Sequence, residues 1–224
     1  MNKLFFALCL CSVILNAAEF TCSHNSIQYG KKQMRFQPQG TMFLQEPNAS
    51  LSASLNVGTK GGYFSFGSPA VKGKFGNPGK GFWEYSGNFP EDRNNTRMEV
   101  KQTIELTPFG NIETNFTWKA ANPKNITDLF YIIYLPVKLF QGKSILFNGK
   151  EIPVSNITKY GFFVARLAEN PELTFYHWDP DKKIRLQGDG KITVVFQSIK
   201  DKNVMVRFYP QPAGGTMKLI WEIK

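Results

Sequence analysis

The feature that most constrains this chain is a strict two-residue alternation across residues 97–119, interrupted once by a turn. Met98, Val100, Gln102, Ile104 and Leu106 fall on one side, and Arg97, Glu99, Lys101, Thr103 and Glu105 on the other. Thr107-Pro108-Phe109-Gly110 supplies turn chemistry, after which Ile112, Thr114, Phe116 and Trp118 alternate with Asn111, Glu113, Asn115 and Thr117. Successive side chains of a strand point to opposite faces, so the pattern predicts a long antiparallel hairpin with one buried and one wet face. Strands of about ten residues suit a large sheet.

The same reading extends to most of the chain. Leu51, Ala53, Leu55 and Val57 alternate with Ser52, Ser54 and Asn56. Leu129 to Leu135 is almost wholly apolar, which predicts a strand covered on both faces. Asn148-Gly149, between Ser144–Phe147 and Glu151–Val154, is a strong hairpin signal. Further strands are expected over 160–167, 173–178, 182–186, 191–197, 204–208 and 217–223. Residues 19–49 show only weak signals near Met42 to Leu44. No convincing helix and no fixed internal repeat appear, which excludes a parallel α/β fold and argues against a propeller. The expectation is an all-β, antiparallel two-sheet sandwich of about 12–14 strands in a single domain over 19–224, with little or no helix.

Residues 1–18 read as a signal peptide. Lys3 is a short basic region, Leu4 to Leu15 an apolar stretch too short to span a membrane, and Ala17-Ala18 a small-residue cleavage region. The expected compartment is periplasmic or extracellular. Cys9 and Cys11 would leave with the signal. Cys22 would then remain alone near the new terminus, with no disulfide and no chemistry beyond an incidental thiol beside His24. The residue before each cysteine (Leu, Leu and Thr) does not suit lipidation. Asn48, Asn94, Asn115, Asn125 and Asn156 each begin an Asn-x-Ser/Thr triplet.

Lys and Arg total 27 against 17 Asp and Glu, a formal charge of +10. Such a balance favours anionic partners, acidic glycans among them, and export argues against nucleic acid. Residues 58–81 are rich in Gly and Lys, and Lys72, Lys74 and Lys80 are expected on a long basic loop that meets an anionic group. The loop is no phosphate-binding P-loop, because Gly81 follows Gly79-Lys80 where Ser or Thr is required.

Catalytic chemistry is sparse. The two histidines, His24 and His177, have no ligand spacing, so no metal and no cofactor is expected. No Gly-x-Ser-x-Gly elbow occurs. Two aromatic pairs, Trp83 with Tyr85 and Tyr176 with Trp178, are candidate platforms for sugar rings, whose C–H faces pack on aromatic rings. An alternative is a glycan-active enzyme, such as a lyase of acidic polysaccharide, centred on His177, Tyr176 and Arg166. A third reading is an assembly module that pairs through sheet edges.

Leu135-Pro136, Phe140-Gln141-Gly142 and Phe147-Asn148-Gly149-Lys150-Glu151-Ile152-Pro153, following the hairpin at 97–119, resemble β-sandwich segments of secreted bacterial glycan-active enzymes. The resemblance includes the large supersandwich domains of the galactose-mutarotase type. It implies a carbohydrate context and supplies no catalytic residue, since the paired histidines of a mutarotase site are missing. The sequence thus points first to a non-catalytic, exported carbohydrate-binding sandwich.

Overall fold

The computed structural model describes residues 20–37, 40–46, 49–65, 72–79, 81–89, 91, 94, 96–160, 162–199, 202–210 and 215–223. The expected signal segment lies outside them, as does Lys80. The described strands are β1 (Phe20–Cys22), β2 (Ser26–Tyr29), β3 (Lys32–Phe36), β4 (Met42–Glu46), β5 (Ala49–Thr59), β6 (Gly62–Ser65), β7 (Lys72–Gly79), β8 (Phe82–Asn88), β9 (Met98–Leu106) and β10 (Ile112–Ala120). There follow β11 (Ile126–Pro136), β12 (Ser144–Phe147), β13 (Lys150–Pro153), a helix α1 (Val154–Tyr160), β14 (Phe162–Glu169), β15 (Glu172–Phe175), β16 (Ile184–Gly188), β17 (Lys191–Ile199), β18 (Asn203–Pro210) and β19 (Thr216–Glu222).

These strands form two antiparallel sheets. The ten-stranded sheet runs β1-β2-β3-β4-β5-β11-β18-β17-β14, with β6 added beside β5, and the nine-stranded sheet runs β13-β12-β15-β16-β19-β10-β9-β8-β7. The fold is therefore an all-β two-sheet sandwich. The hairpin at 97–119 forms in the anticipated register, from Met98 opposite Ala120 to Leu106 opposite Ile112. Its inward positions Met98, Val100, Gln102, Ile104, Ile112, Thr114 and Phe116 are all buried. Asn148 and Gly149 both adopt positive φ, 48° and 76°, as the tight turn between β12 and β13 requires.

The two sheets meet through large side chains. The Tyr131 ring of β11 lies 5.1 Å from that of Phe116 and 6.4 Å from that of Trp221. Fully burying one such side chain is worth about 1.5–3 kcal/mol, so a core of this extent holds the sandwich without a disulfide. Cys22 is a free thiol, and burial pushes its pKa up. It stands in β1 opposite Ile27, on an ordered strand where a loose terminus was expected.

The structure departs from the sequence reading in four places. Residues 20–46 form four strands of three to five residues each, too short for an alternation to show. The expected basic loop is β7 instead, the end strand of the smaller sheet, paired with β8 from Lys72 opposite Asn88 to Gly79 opposite Phe82. With β6 and β8, these bring the described strands to 19, above the expected number. Val154 to Tyr160 is helical, burying Val154 and Ile157 three positions apart, and Thr158 Oγ1 donates to the Val154 carbonyl. Lastly, β15 ends at Phe175, because Tyr176 adopts φ 54°.

Candidate functional site

Three of the four expected stacking rings are core residues. On β8, Trp83, Tyr85 and Gly87 face inward while Phe82, Glu84 and Ser86 face out. Trp83 is fully buried, packs 4.9 Å from Phe36, and donates its indole N–H to the His24 carbonyl at 2.9 Å. Tyr85 is 2% exposed. Both belong to a strand inside the sheet whose apolar face must turn to the core, so neither offers a platform to a sugar. Tyr176 is 3% exposed, 4.7 Å from Phe140. The left-handed backbone at Tyr176 breaks the strand alternation and its ring is buried, although it still lies 5.7 Å from that of Trp178. Trp178 alone stays half-buried, edge-on to Phe140 at 5.4 Å, with Lys143 Nζ 5.5 Å from its ring centre.

The expected catalytic trio does not assemble. His177 is half-buried and hydrogen-bonded through Nε2 to Ser144 Oγ at 3.1 Å. Arg166 is exposed on β14, the last strand of the larger sheet, opposite Val194. Tyr176 and His177 follow β15 of the smaller sheet, and no hydrogen bond or ion pair joins Arg166 to either. Lys72 and Lys74 lie on β7 by their backbone, but their side chains, like all of Lys80, fall outside the described residues. Among the described residues no three His, Cys, Asp or Glu side chains converge on a possible metal position. Asp179 is taken up by Lys182 at 2.8 Å, and that hydrogen bond holds its carboxyl below the usual range.

The larger sheet carries a cluster that sequence reasoning missed, on its outer face. Phe130 and Ile132 of β11 and Met205 of β18 form a small buried group, packed against Tyr134 and Tyr209. Register explains the grouping: Ile132 pairs with Arg207 and Tyr134 with Met205, while Phe130 faces Asn56 of β5 on its other side. The Phe130 ring lies 5.1 Å from Tyr209 and 6.2 Å from Tyr63 of β6. Tyr63 is 57% exposed, so the row opens to solvent.

Arg207 closes the cluster. Its guanidinium stands 4.9 Å from the Phe130 ring centre, a cation–π arrangement. Nη1 reaches the Tyr209 hydroxyl at 3.5 Å and Nη2 the Met205 sulfur at 3.9 Å, both long contacts. Nε is buried without a hydrogen-bond partner. Asp128 sits on the same face. A bulge between Ile126 and Asp128 turns it outward opposite Gly58, where a Cβ would come within 3.0 Å of the Asp128 Cβ. Burial raises the Asp128 pKa, and Arg207 partly opposes the rise. Burial also pushes Tyr63 up to about 12 and raises Tyr134 and Tyr209, so all three phenols remain hydroxyl donors at neutral pH.

The unbroken apolar run at 129–135 was the available signal, since it required cover on its outer face. The alternation Met205-x-Arg207-x-Tyr209 was a second. Fold and cluster together define a two-sheet antiparallel β-sandwich with an aromatic, arginine-bearing patch on one outer face. No protein-family model and no curated protein matches the chain.

Proposed function

We propose that this is an exported, non-catalytic carbohydrate-binding β-sandwich whose ligand lies on the outer face of the ten-stranded sheet. The observation that supports the reading is the pair Tyr63, 57% exposed, and half-buried Tyr209, whose rings flank the buried Phe130 ring at 6.2 and 5.1 Å. Aromatic rings offer apolar area at low entropic cost, and tyrosine adds a hydroxyl that can bond sugar oxygens. The resemblance of 135–153 to segments of secreted glycan-active enzymes, and the size of the two sheets, agree with that context. Trp178 with Lys143 is a smaller second surface of the same chemical kind.

Strand addition at the sheet ends has less support in the smaller sheet. Its end strands, β7 and β13, contain Lys72, Lys74 and Pro78, and Lys150, Glu151 and Pro153 respectively. Lysine and proline on an end strand obstruct pairing with another chain.

The test is a glycan-array screen of the mature protein at low and physiological salt, repeated with Tyr63→Ala and Tyr209→Ala. Binding that falls at least tenfold in both variants is expected. Binding unchanged in both would move the ligand away from this face, and no binding by the folded wild type would end the reading.

A further inference from the structure

We infer that the ligand on this face is an acidic sugar, a hexuronate whose carboxylate meets Arg207 while a ring hydroxyl donates to Asp128. The inference rests on the carbohydrate reading above and names its substrate class.

The first argument is the state of Arg207. Arg97 is held by Glu91 and Arg185 by both Glu172 and Glu222, while Arg35 and Arg166, which form no ion pair among the described residues, are exposed to water. Arg207 is half-buried and has no carboxylate within ion-pair distance among the described residues. Asp128 acts on Arg207 only through space, so the guanidinium is partly desolvated without a direct ion pair, and an anion arriving from solvent supplies one. The planar guanidinium is matched to a planar carboxylate by two parallel hydrogen bonds.

The second argument is what surrounds it. Tyr63, Tyr134 and Tyr209 contribute hydroxyls on the same face, suited to a ligand with many oxygens. Asp128 stands there too, without forming an ion pair to Arg207. Its charge repels a simple dicarboxylate. A sugar acid presents both an anionic group for Arg207 and a hydroxyl for Asp128. The formal charge of +10 draws such polyanions towards the protein as a whole.

The experiment uses the mature full chain and tetramers of galacturonate, glucuronate and guluronate, each compared with its own carboxyl-reduced, neutral form by calorimetry. At least one uronate is expected to bind at least tenfold more tightly than its reduced form. Arg207→Gln is expected to erase that difference, and Arg207→Lys to restore it only in part. Asp128→Asn is expected to weaken the same uronate, and succinate to compete poorly. Equal binding of acidic and reduced tetramers overturns the inference and leaves the carbohydrate reading standing. Effective competition by succinate overturns the sugar component. If neither form of any tetramer binds and no neutral glycan binds on the array, both fail. The acidic-against-reduced comparison needs no variant, so it holds even if Arg207→Gln does not fold.

Discussion

The indole N–H of Trp83 donates to the main-chain carbonyl of His24 at 2.9 Å, joining β8 of the smaller sheet to the turn between β1 and β2 of the larger one. A fully buried indole thus satisfies a carbonyl 59 residues away in the chain. Trp83→Phe keeps a ring in the core but leaves the carbonyl without this donor. His24 is itself exposed, so water reaches the freed carbonyl; losing the bond costs about 0.5–1.5 kcal/mol, and the lost ring volume adds to it. A lower urea midpoint with an unchanged slope is the expected result. A midpoint within error of wild type would mean that the bond does not fasten the N-terminal strands.

On the same strand, Tyr85 lies over Gly87. A Cβ at Gly87 would stand 2.8 Å from the Tyr85 hydroxyl oxygen and 2.9 Å from its ring. Gly87→Ala therefore forces either the ring or the strand to move, at a cost of about 1–3 kcal/mol. Gly76→Ala on neighbouring β7 is the control, since nothing lies within 4 Å of a Cβ there. Thermal unfolding should separate the two variants by several degrees, with Gly76→Ala near wild type.

These two residues also show what the sequence could and could not disclose. Trp83 and Tyr85, named from the sequence only as an aromatic pair two residues apart, share one face of β8. Their spacing could not say that this face turned inward, because that depends on where β8 sits in the sheet. The hairpin at 97–119 was legible because its charged positions mark one face as wet, leaving only one orientation. The outer-face cluster was illegible for a different reason. Tyr63, Phe130 and Arg207 are far apart in the chain, and only the register of β5, β11 and β18 brings them together. The break at Tyr176 was hidden because a tyrosine in left-handed backbone has no local sequence signature.

Gln102 shows the sequence pattern at its most literal. It occupies an inward position of β9, fully buried, and neither its amide oxygen nor its amide nitrogen has a hydrogen-bond partner. Removing both polar atoms while keeping the shape relieves their desolvation. Gln102→Met is therefore expected to raise stability by about 1–3 kcal/mol. A loss of stability in chemical denaturation would mean that the amide is satisfied in solution and supports the core.

The outer-face tyrosines give the fold a defined sensitivity to alkali. Burial is the main cause that pushes Tyr63 up to about 12, with Tyr134, Asp128 and Tyr209 adding to the rise and Arg207 opposing it. The folded protein therefore holds the neutral phenol more firmly than the unfolded chain, where tyrosine titrates near about 10. A group of this kind contributes its full stability below the unfolded value and loses it as pH climbs through the folded one. Stability should be flat with respect to these groups up to about pH 10 and fall between there and about 12. Tyr134 and Tyr209 shift in the same direction by burial and steepen the fall. Tyr63→Phe should flatten part of the slope, because phenylalanine cannot ionise. The measurement is the urea midpoint as a function of pH for both proteins, with tyrosinate absorbance followed in parallel. Identical slopes in the two proteins would show that the Tyr63 hydroxyl is free to ionise in the folded state, and that the face is more open to water than its packing around Phe130 implies.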